Sequence, residues 1–116
     1  MNPTTTGDDQ TLAAAVAEVE DLLDYEFRDP SLLAEALTHP SKSNHSNYDR
    51  LEFVGDAALG LAFSYYLYLA NRGVDSGTLT YLRIANVSTE KLARVAVQHR
   101  LYRLLRRNSP QLDEQV

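Results

Sequence analysis

The sequence contains no cysteine, which excludes disulfides and thiolate-bound zinc. That absence fits an intracellular setting, nuclear or cytoplasmic, without choosing between them. No run approaches about 18 consecutive apolar residues, so no membrane-spanning helix and no membrane partner are expected. The chain opens on Met1-Asn2-Pro3-Thr4-Thr5-Thr6-Gly7-Asp8-Asp9, which has neither the basic-then-apolar layout of a signal peptide nor the Arg-rich layout of a transit peptide. Without a secretion signal, the glycosylation patterns Asn44-His45-Ser46 and Asn86-Val87-Ser88 read as chance matches. Positive charge is also in deficit. The net charge of −5 argues against a general nucleic-acid binder. There are no repeats and no segment that alternates for long like a strand. No Glu-x-x-His pair occurs, which makes a redox di-metal bundle a poor reading.

What is present is a chain of 116 residues, 44% hydrophobic and 23% charged, enough for one soluble domain with a modest core. Charge is unevenly spread. Residues 1–40 carry nine acidic residues against Arg28 alone, whereas residues 81–108 carry seven basic residues against Glu90 alone. The basic third either contacts phosphates or forms a solvated helix face.

The apolar spacing predicts an all-α fold over residues 11–108, between a disordered tail at 1–10 and a second tail at 109–116. Leu12, Val16, Val19 and Leu23 fall on one stripe of a first helix starting near Asp9 or Thr11, with Tyr25 and Phe27 anchoring the turn after it. Asp29 is the cap of a second helix, with Pro30 at its first position, where its missing N–H costs nothing. Leu32, Leu33, Ala36 and Leu37 supply the buried face and Pro40 the stop. A polar loop at 40–47 leads into a long helix from Tyr48 to Ala70. Its expected core stripe is Leu51, Val54, Ala58, Leu61, Ala62, Tyr65 and Leu69. Gly55 and Gly60 weaken that helix by up to about 1 kcal/mol each, which suggests close packing against them. A turn at 71–77 precedes a short helix capped by Thr78. Ser88 caps a last helix with Glu90 in its first turn. Its core residues are Leu92, Val95, Ala96, Leu101, Leu104 and Leu105, and Arg106, Arg107, Asn108 and Pro110 end it.

The long helix opens with Asp49, Glu52 and Asp56. Residues three and four apart share a helix face, and like charges there repel. A hard divalent cation such as Mg²⁺ takes oxygen ligands and offsets that repulsion. A solvated charged face is the plainer reading of the spacing alone.

The residues around the carboxylates go further. Asp49-Arg50-Leu51-Glu52-Phe53-Val54-Gly55-Asp56-Ala57-Ala58-Leu59-Gly60 resembles the signature segment of ribonuclease III domains, with Asp49 where the family most often has Glu. Thr38-His39-Pro40-Ser41 is similar to the family's T-H-[P/R/T]-S stretch and is read as structural. Asn86-Val87-Ser88-Thr89-Glu90-Lys91-Leu92-Ala93 resembles a segment of plant ribonuclease III-like proteins. The resemblance covers about residues 15–112.

The resemblance implies a Mg²⁺-dependent endoribonuclease (Mn²⁺ being an alternative) that hydrolyses double-stranded RNA, leaving 5′-phosphate and 3′-hydroxyl ends. It implies a homodimer in which each subunit cuts one strand. Asp56 and Glu52 become the catalytic metal ligands, activating water at the scissile phosphate. Asp49 becomes a substrate or outer-shell residue, or else a carboxylate favouring the helix dipole. Arg50 becomes a phosphate contact, although a salt bridge to a neighbouring helix is the plainer expectation. Phe53 becomes an aromatic inserted into the partner subunit, against the alternative of a core aromatic. Tyr65, Tyr66 and Tyr68 are expected in core or interface packing rather than base stacking. His45 and His99 have no partner at metal-ligand spacing.

Departures from the family shape the rest of the reading. The family's later helix with a second Asp-x-x-Glu pair is not found within residues 1–116. Asp113-Glu114 are adjacent, so on a helix they would point about 100° apart. The acidic residue usual near Thr78 is absent, as is a double-stranded-RNA-binding domain. The chain therefore reads as the front portion of such a domain, inactive alone, with an exposed apolar patch that favours association. The rival reading is a non-catalytic double-stranded-RNA-binding or dimerisation module.

Overall fold

The computed structural model describes residues 7–108. The fold is all-α: α1 (Gly7–Leu23), α2 (Pro30–Ala36), α3 (Asp49–Ala70), α4 (Ser76–Val87), α5 (Thr89–Gln98) and a 3₁₀ turn, Leu101–Leu104. Among the described residues the only extended pairing is an isolated parallel bridge between Thr38 and Arg106. The chain divides into two compact units, residues 7–48 with 104–108 and residues 49–103. The tails expected at 1–10 and 109–116 lie outside the described residues, except that α1 already begins at Gly7.

In the first unit, α1 packs on α2 through Ala15 and Val19 from α1 and Leu33 from α2, all buried. Leu23, expected on the α1 stripe, is exposed, as is Leu32 on α2. Asp24 ends α1 in the left-handed region at φ 50°, and the Tyr25 N–H reaches back to the Glu20 carbonyl at 3.0 Å. Glu20 then clasps the turn with its side chain, whose Oε2 accepts the Phe27 N–H at 2.7 Å. Tyr25 and Phe27 meet edge to face with centroids 5.0 Å apart. α2 starts as expected, with Asp29 accepting the Ser31 N–H and Pro30 in the first turn.

Thr38-His39-Pro40-Ser41 is the clasp of this unit. Thr38 is 4% exposed, and its hydroxyl donates to the Ala34 carbonyl at 2.7 Å. The Arg106 N–H donates to the Leu37 carbonyl at 2.7 Å, and the His39 N–H to the Arg106 carbonyl at 2.8 Å. The His39 ring accepts the Ser41 N–H on Nδ1 at 3.0 Å and meets Tyr48 edge-on. Ser41 Oγ in turn accepts the Asn108 N–H at 3.1 Å. The side chains of Thr38, His39 and Ser41 thus each hold a backbone group, in keeping with the structural reading of this stretch.

In the second unit α3 packs chiefly on α4, and α4 on α5. The Arg83 Nη1 donates to Ser64 Oγ at 3.0 Å across the α3–α4 contact. The face of α3 that is covered carries Phe63, Ser64 and Leu67. This corrects the expected core stripe, since Val54, Ala58, Leu61, Ala62, Tyr65 and Leu69 are all exposed. The physical reason is that α3 is apolar nearly all round, and a period alone cannot choose a face when both sides qualify.

By length and composition α3 is long and apolar enough to cross a membrane. An 18-residue window of it has a mean hydropathy of 1.3, and 6% of that window is buried. Asp56 and Ser64 break the run without lowering its mean much, which is why no unbroken apolar run announces it. The Arg83 contact at its middle is that of a helix in a bundle.

Two further boundaries differ from expectation. Asp75, not Thr78, caps α4, accepting the Thr78 N–H on Oδ1 at 2.7 Å. The last helix stops at Gln98, because Arg100 adopts φ 56°, so Leu101 and Leu104 lie in the 3₁₀ turn. Ser88 caps α5 as expected, accepting the Lys91 N–H at 3.2 Å.

The α4 cap carries a pH dependence. The Thr78 N–H, and then its hydroxyl, hold the Asp75 carboxyl below its usual value of 3.8. A carboxyl depressed in the folded state stabilises above its unfolded pKa, and that contribution is lost as pH falls through the folded one. Asp75→Ala should therefore lower the Tm at neutral pH. The gap from the parent should close as the pH drops below about 3.8. Thermal melts of both proteins across that window check this, and a gap independent of pH would show that the charge is not what caps the helix.

Candidate active site on helix α3

Asp49, Arg50, Glu52, Phe53 and Asp56 all fall in the first two turns of α3. All five are exposed. Glu52 and Asp56 are four residues apart, so they are neighbours on one face. Neither carboxylate has a hydrogen-bond or ion-pair partner among the described residues. Asp49 and Glu52 lie in the first turn, where a carboxylate favours the helix dipole.

Asp49, Glu52 and Asp56 do not by themselves converge into a metal cage. Among the described residues no group of three or more His, Cys, Asp or Glu is placed to hold a metal ion. A straight helix explains this, because a seven-residue span from Asp49 to Asp56 rises about 10 Å. The pair Glu52 and Asp56 remains a fit for part of a hydrated Mg²⁺ shell, since that ion is commonly held by one or two carboxylates and keeps several waters.

The neighbours of the pair are placed differently from the plainer expectations. Arg50 makes no salt bridge among the described residues, so its guanidinium is free to meet an anion. Phe53 is 83% exposed, which removes the core-aromatic alternative within this chain. Tyr65, Tyr66 and Tyr68 are likewise exposed, so none is a core residue here. The basic third is partly spent on structure. Arg94 pairs with Glu90 at 2.6 Å, Arg83 holds Ser64 and the Arg106 backbone forms the bridge to Thr38.

Gly55 and Gly60 were expected to permit close packing, yet a Cβ at either would meet nothing within 4 Å. Gly55→Ala and Gly60→Ala should each stabilise the isolated chain, by about 0.5–1 kcal/mol from helix propensity. Urea melts at a concentration too low for association would check this. Destabilisation would mean that each glycine is packed within the single chain after all.

Comparison with known proteins places this helix in a family. The family model described as Ribonuclease-III-like matches residues 29–115. The chain is 64% identical over 102 residues to ribonuclease 3-like protein 2 of Oryza sativa subsp. japonica, covering 87% of this chain and 32% of that protein. It is 56% identical over 98 residues to ribonuclease 3-like protein 2 of Arabidopsis thaliana, covering 84% of this chain and 25% of that protein. The chain thus spans a third or less of the length of these two plant relatives. Among solved structures it resembles the nuclease domain of ribonuclease III from Campylobacter jejuni, in a structure concerned with flexibility of the region involved in dimer formation. That likeness has a TM-score of 0.79 at 34% identity, over 86% of this chain and 70% of the other. The signature on α3, the family match and the plant relatives agree: the chain belongs to the ribonuclease III family, on its plant branch.

Proposed function

We propose that this chain supplies the α3 face of a Mg²⁺-dependent endoribonuclease that hydrolyses double-stranded RNA. The observation that carries the reading is the pair Glu52 and Asp56. Two like charges stand four residues apart on an exposed helix face, with no protein partner among the described residues. Such a pair costs helix stability unless a cation occupies it.

Glu52 and Asp56 would hold Mg²⁺, or Mn²⁺, with waters and RNA phosphate oxygens as the remaining ligands. Bound there, the ion supplies a Lewis acid for the scissile phosphate and a more acidic water. The two carboxylates orient that water and phosphate. Arg50 meets the RNA backbone, and Asp49 supports substrate or the ion's water shell. A-form RNA is taken by shape and by its phosphates and 2′-hydroxyls rather than by sequence. Two copies assemble with Phe53 of each inserted into the other, and each copy cuts one strand, leaving 5′-phosphate and 3′-hydroxyl ends.

The chain alone should be inactive, because two carboxylates on one helix hold Mg²⁺ weakly. A chimera should be active, in which this chain replaces the matching segment of the rice relative. The test is cleavage of a long duplex RNA by chain and chimera, with and without Mg²⁺, and analysis of the product ends. A chimera that binds the duplex but never cuts it, in either metal, sinks the nuclease reading. The second reading, a binding or dimerisation module, is favoured by the bare apolar surface of α3. Metal-independent RNA binding without product would select it.

A further inference from the structure

A second site lies away from the carboxylates, at the far end of α3. Where α3 turns into α4, a cleft of about 470 Å³ is lined by Tyr68, Leu69, Asn71, Arg72, Val74 and Leu79. That size is ordinary for a small-molecule site. Leu69, Val74, Leu79 and the Tyr68 ring give it apolar walls.

Its polar groups keep bonding capacity to spare. Arg72 is exposed and has no hydrogen-bond or ion-pair partner among the described residues. Asn71 uses its Nδ2 to cap α3, donating to the Leu67 carbonyl at 3.1 Å. Its amide oxygen is then the end left free to accept. Asp75, the carboxylate nearest in sequence, does not line the cleft and is engaged with the Thr78 N–H.

An exposed aromatic, a cation and a side-chain amide lining one cleft together with aliphatic side chains are the groups that take an unpaired nucleotide. The base stacks on the aromatic, the amide meets its edge and the cation meets the phosphate. A purely apolar ligand would leave Arg72 and Asn71 unused, and a bare phosphate would leave the apolar walls unused.

We propose that this cleft binds a single unpaired nucleotide of the RNA, with its base on Tyr68, its polar edge at Asn71 and its phosphate on Arg72. The proposal rests on the RNA reading above and adds a subsite to it. It would let the protein distinguish a duplex with an unpaired end from a blunt one.

The first test titrates the 116-residue chain with AMP, ribose 5-phosphate and adenosine, followed by amide chemical shifts. AMP should bind tightest, with shifts centred on residues 68–79. Tyr68→Ala should weaken AMP at least about tenfold, toward the level of ribose 5-phosphate, the loss expected for removing a stacked base. Tyr68→Phe should restore it, because the ring and not the hydroxyl is at work. Arg72→Ala should bring AMP down to the level of adenosine. Both positions are exposed, so circular dichroism should show the fold unchanged. Equal binding of AMP and ribose 5-phosphate by the parent chain overturns the proposal, and so does parental AMP affinity in either alanine variant.

The second test compares duplex RNA with and without an unpaired end. Preference for the unpaired end, lost in Tyr68→Ala and Arg72→Ala, is the expected result. Equal binding of the two duplexes overturns the subsite and leaves the RNA reading standing. Binding of neither duplex overturns the RNA reading, and the AMP titration then still decides what the cleft takes.

Discussion

Asp56→Asn should lower duplex-RNA cleavage by the rice chimera about 10³-fold or more, since metal-assisted phosphate hydrolysis draws several kcal/mol from the bound ion and each 1.36 kcal/mol is a factor of ten. Glu52→Gln should act in the same direction. Neither change should harm folding, because both carboxylates are exposed and make no hydrogen bond or ion pair among the described residues. For Asp56, which lies beyond the first turn, removing one of two like charges four residues apart should instead stabilise α3 by about 0.2–0.5 kcal/mol. The two effects have opposite signs, which separates loss of chemistry from loss of structure.

A second readout avoids catalysis altogether. Mn²⁺ added to the 116-residue chain should broaden the amide signals around residues 49–59, and Asp56→Asn should abolish that broadening. Undiminished cleavage in the chimera, or unchanged Mn²⁺ broadening, removes Asp56 from the metal site. The same criteria apply to Glu52→Gln.

Phe53→Ala should convert a dimer into a monomer. Phe53 is 83% exposed in the single chain, so whatever apolar energy it contributes is gained only against a partner. Burying a Phe side chain is worth about 1.5–3 kcal/mol, and a twofold interface uses the residue twice. The loss of about 3–6 kcal/mol corresponds to a dissociation constant weaker by roughly 10²- to 10⁴-fold. Sedimentation of the parent and of Phe53→Ala over a range of concentrations would measure it. At concentrations where both are monomers their melting temperatures should coincide, because no core contact is lost. A variant as dimeric as its parent would show that Phe53 is not an interface anchor, and a large fall in monomer Tm would return it to the core. The other exposed apolar residues of α3, Leu61 and Tyr65 among them, set a background of association that a single substitution leaves in place.

Much of this was written locally in the sequence. Helix starts that depend on one side chain and one nearby N–H were legible, as Asp29 before Pro30 and Ser88 before α5 show. The helix of the candidate site was legible because its carboxylates and its Phe53 follow the family's order without a gap. The start of α4 was the exception, since Asp75 takes with its side chain the cap expected of Thr78. The stop set by backbone conformation was not legible: Arg100 ends α5 in a left-handed turn without the glycine that would announce it.

The sequence by itself determined the all-α fold, the family and the identity of the candidate site residues. Those follow from side-chain chemistry at fixed helical spacings, which the chain carries with it wherever it folds. Only the tertiary structure decided which face of α3 is covered, that Gly55 and Gly60 have room beside them, and that Arg50 is left without a salt bridge among the described residues. It also decided that Asp49, Glu52 and Asp56 do not close a metal cage on their own, and that Tyr68, Asn71 and Arg72 share a cleft. Each of these depends on what another element places opposite a residue. A helix apolar nearly all round does not encode its neighbour in its own periodicity.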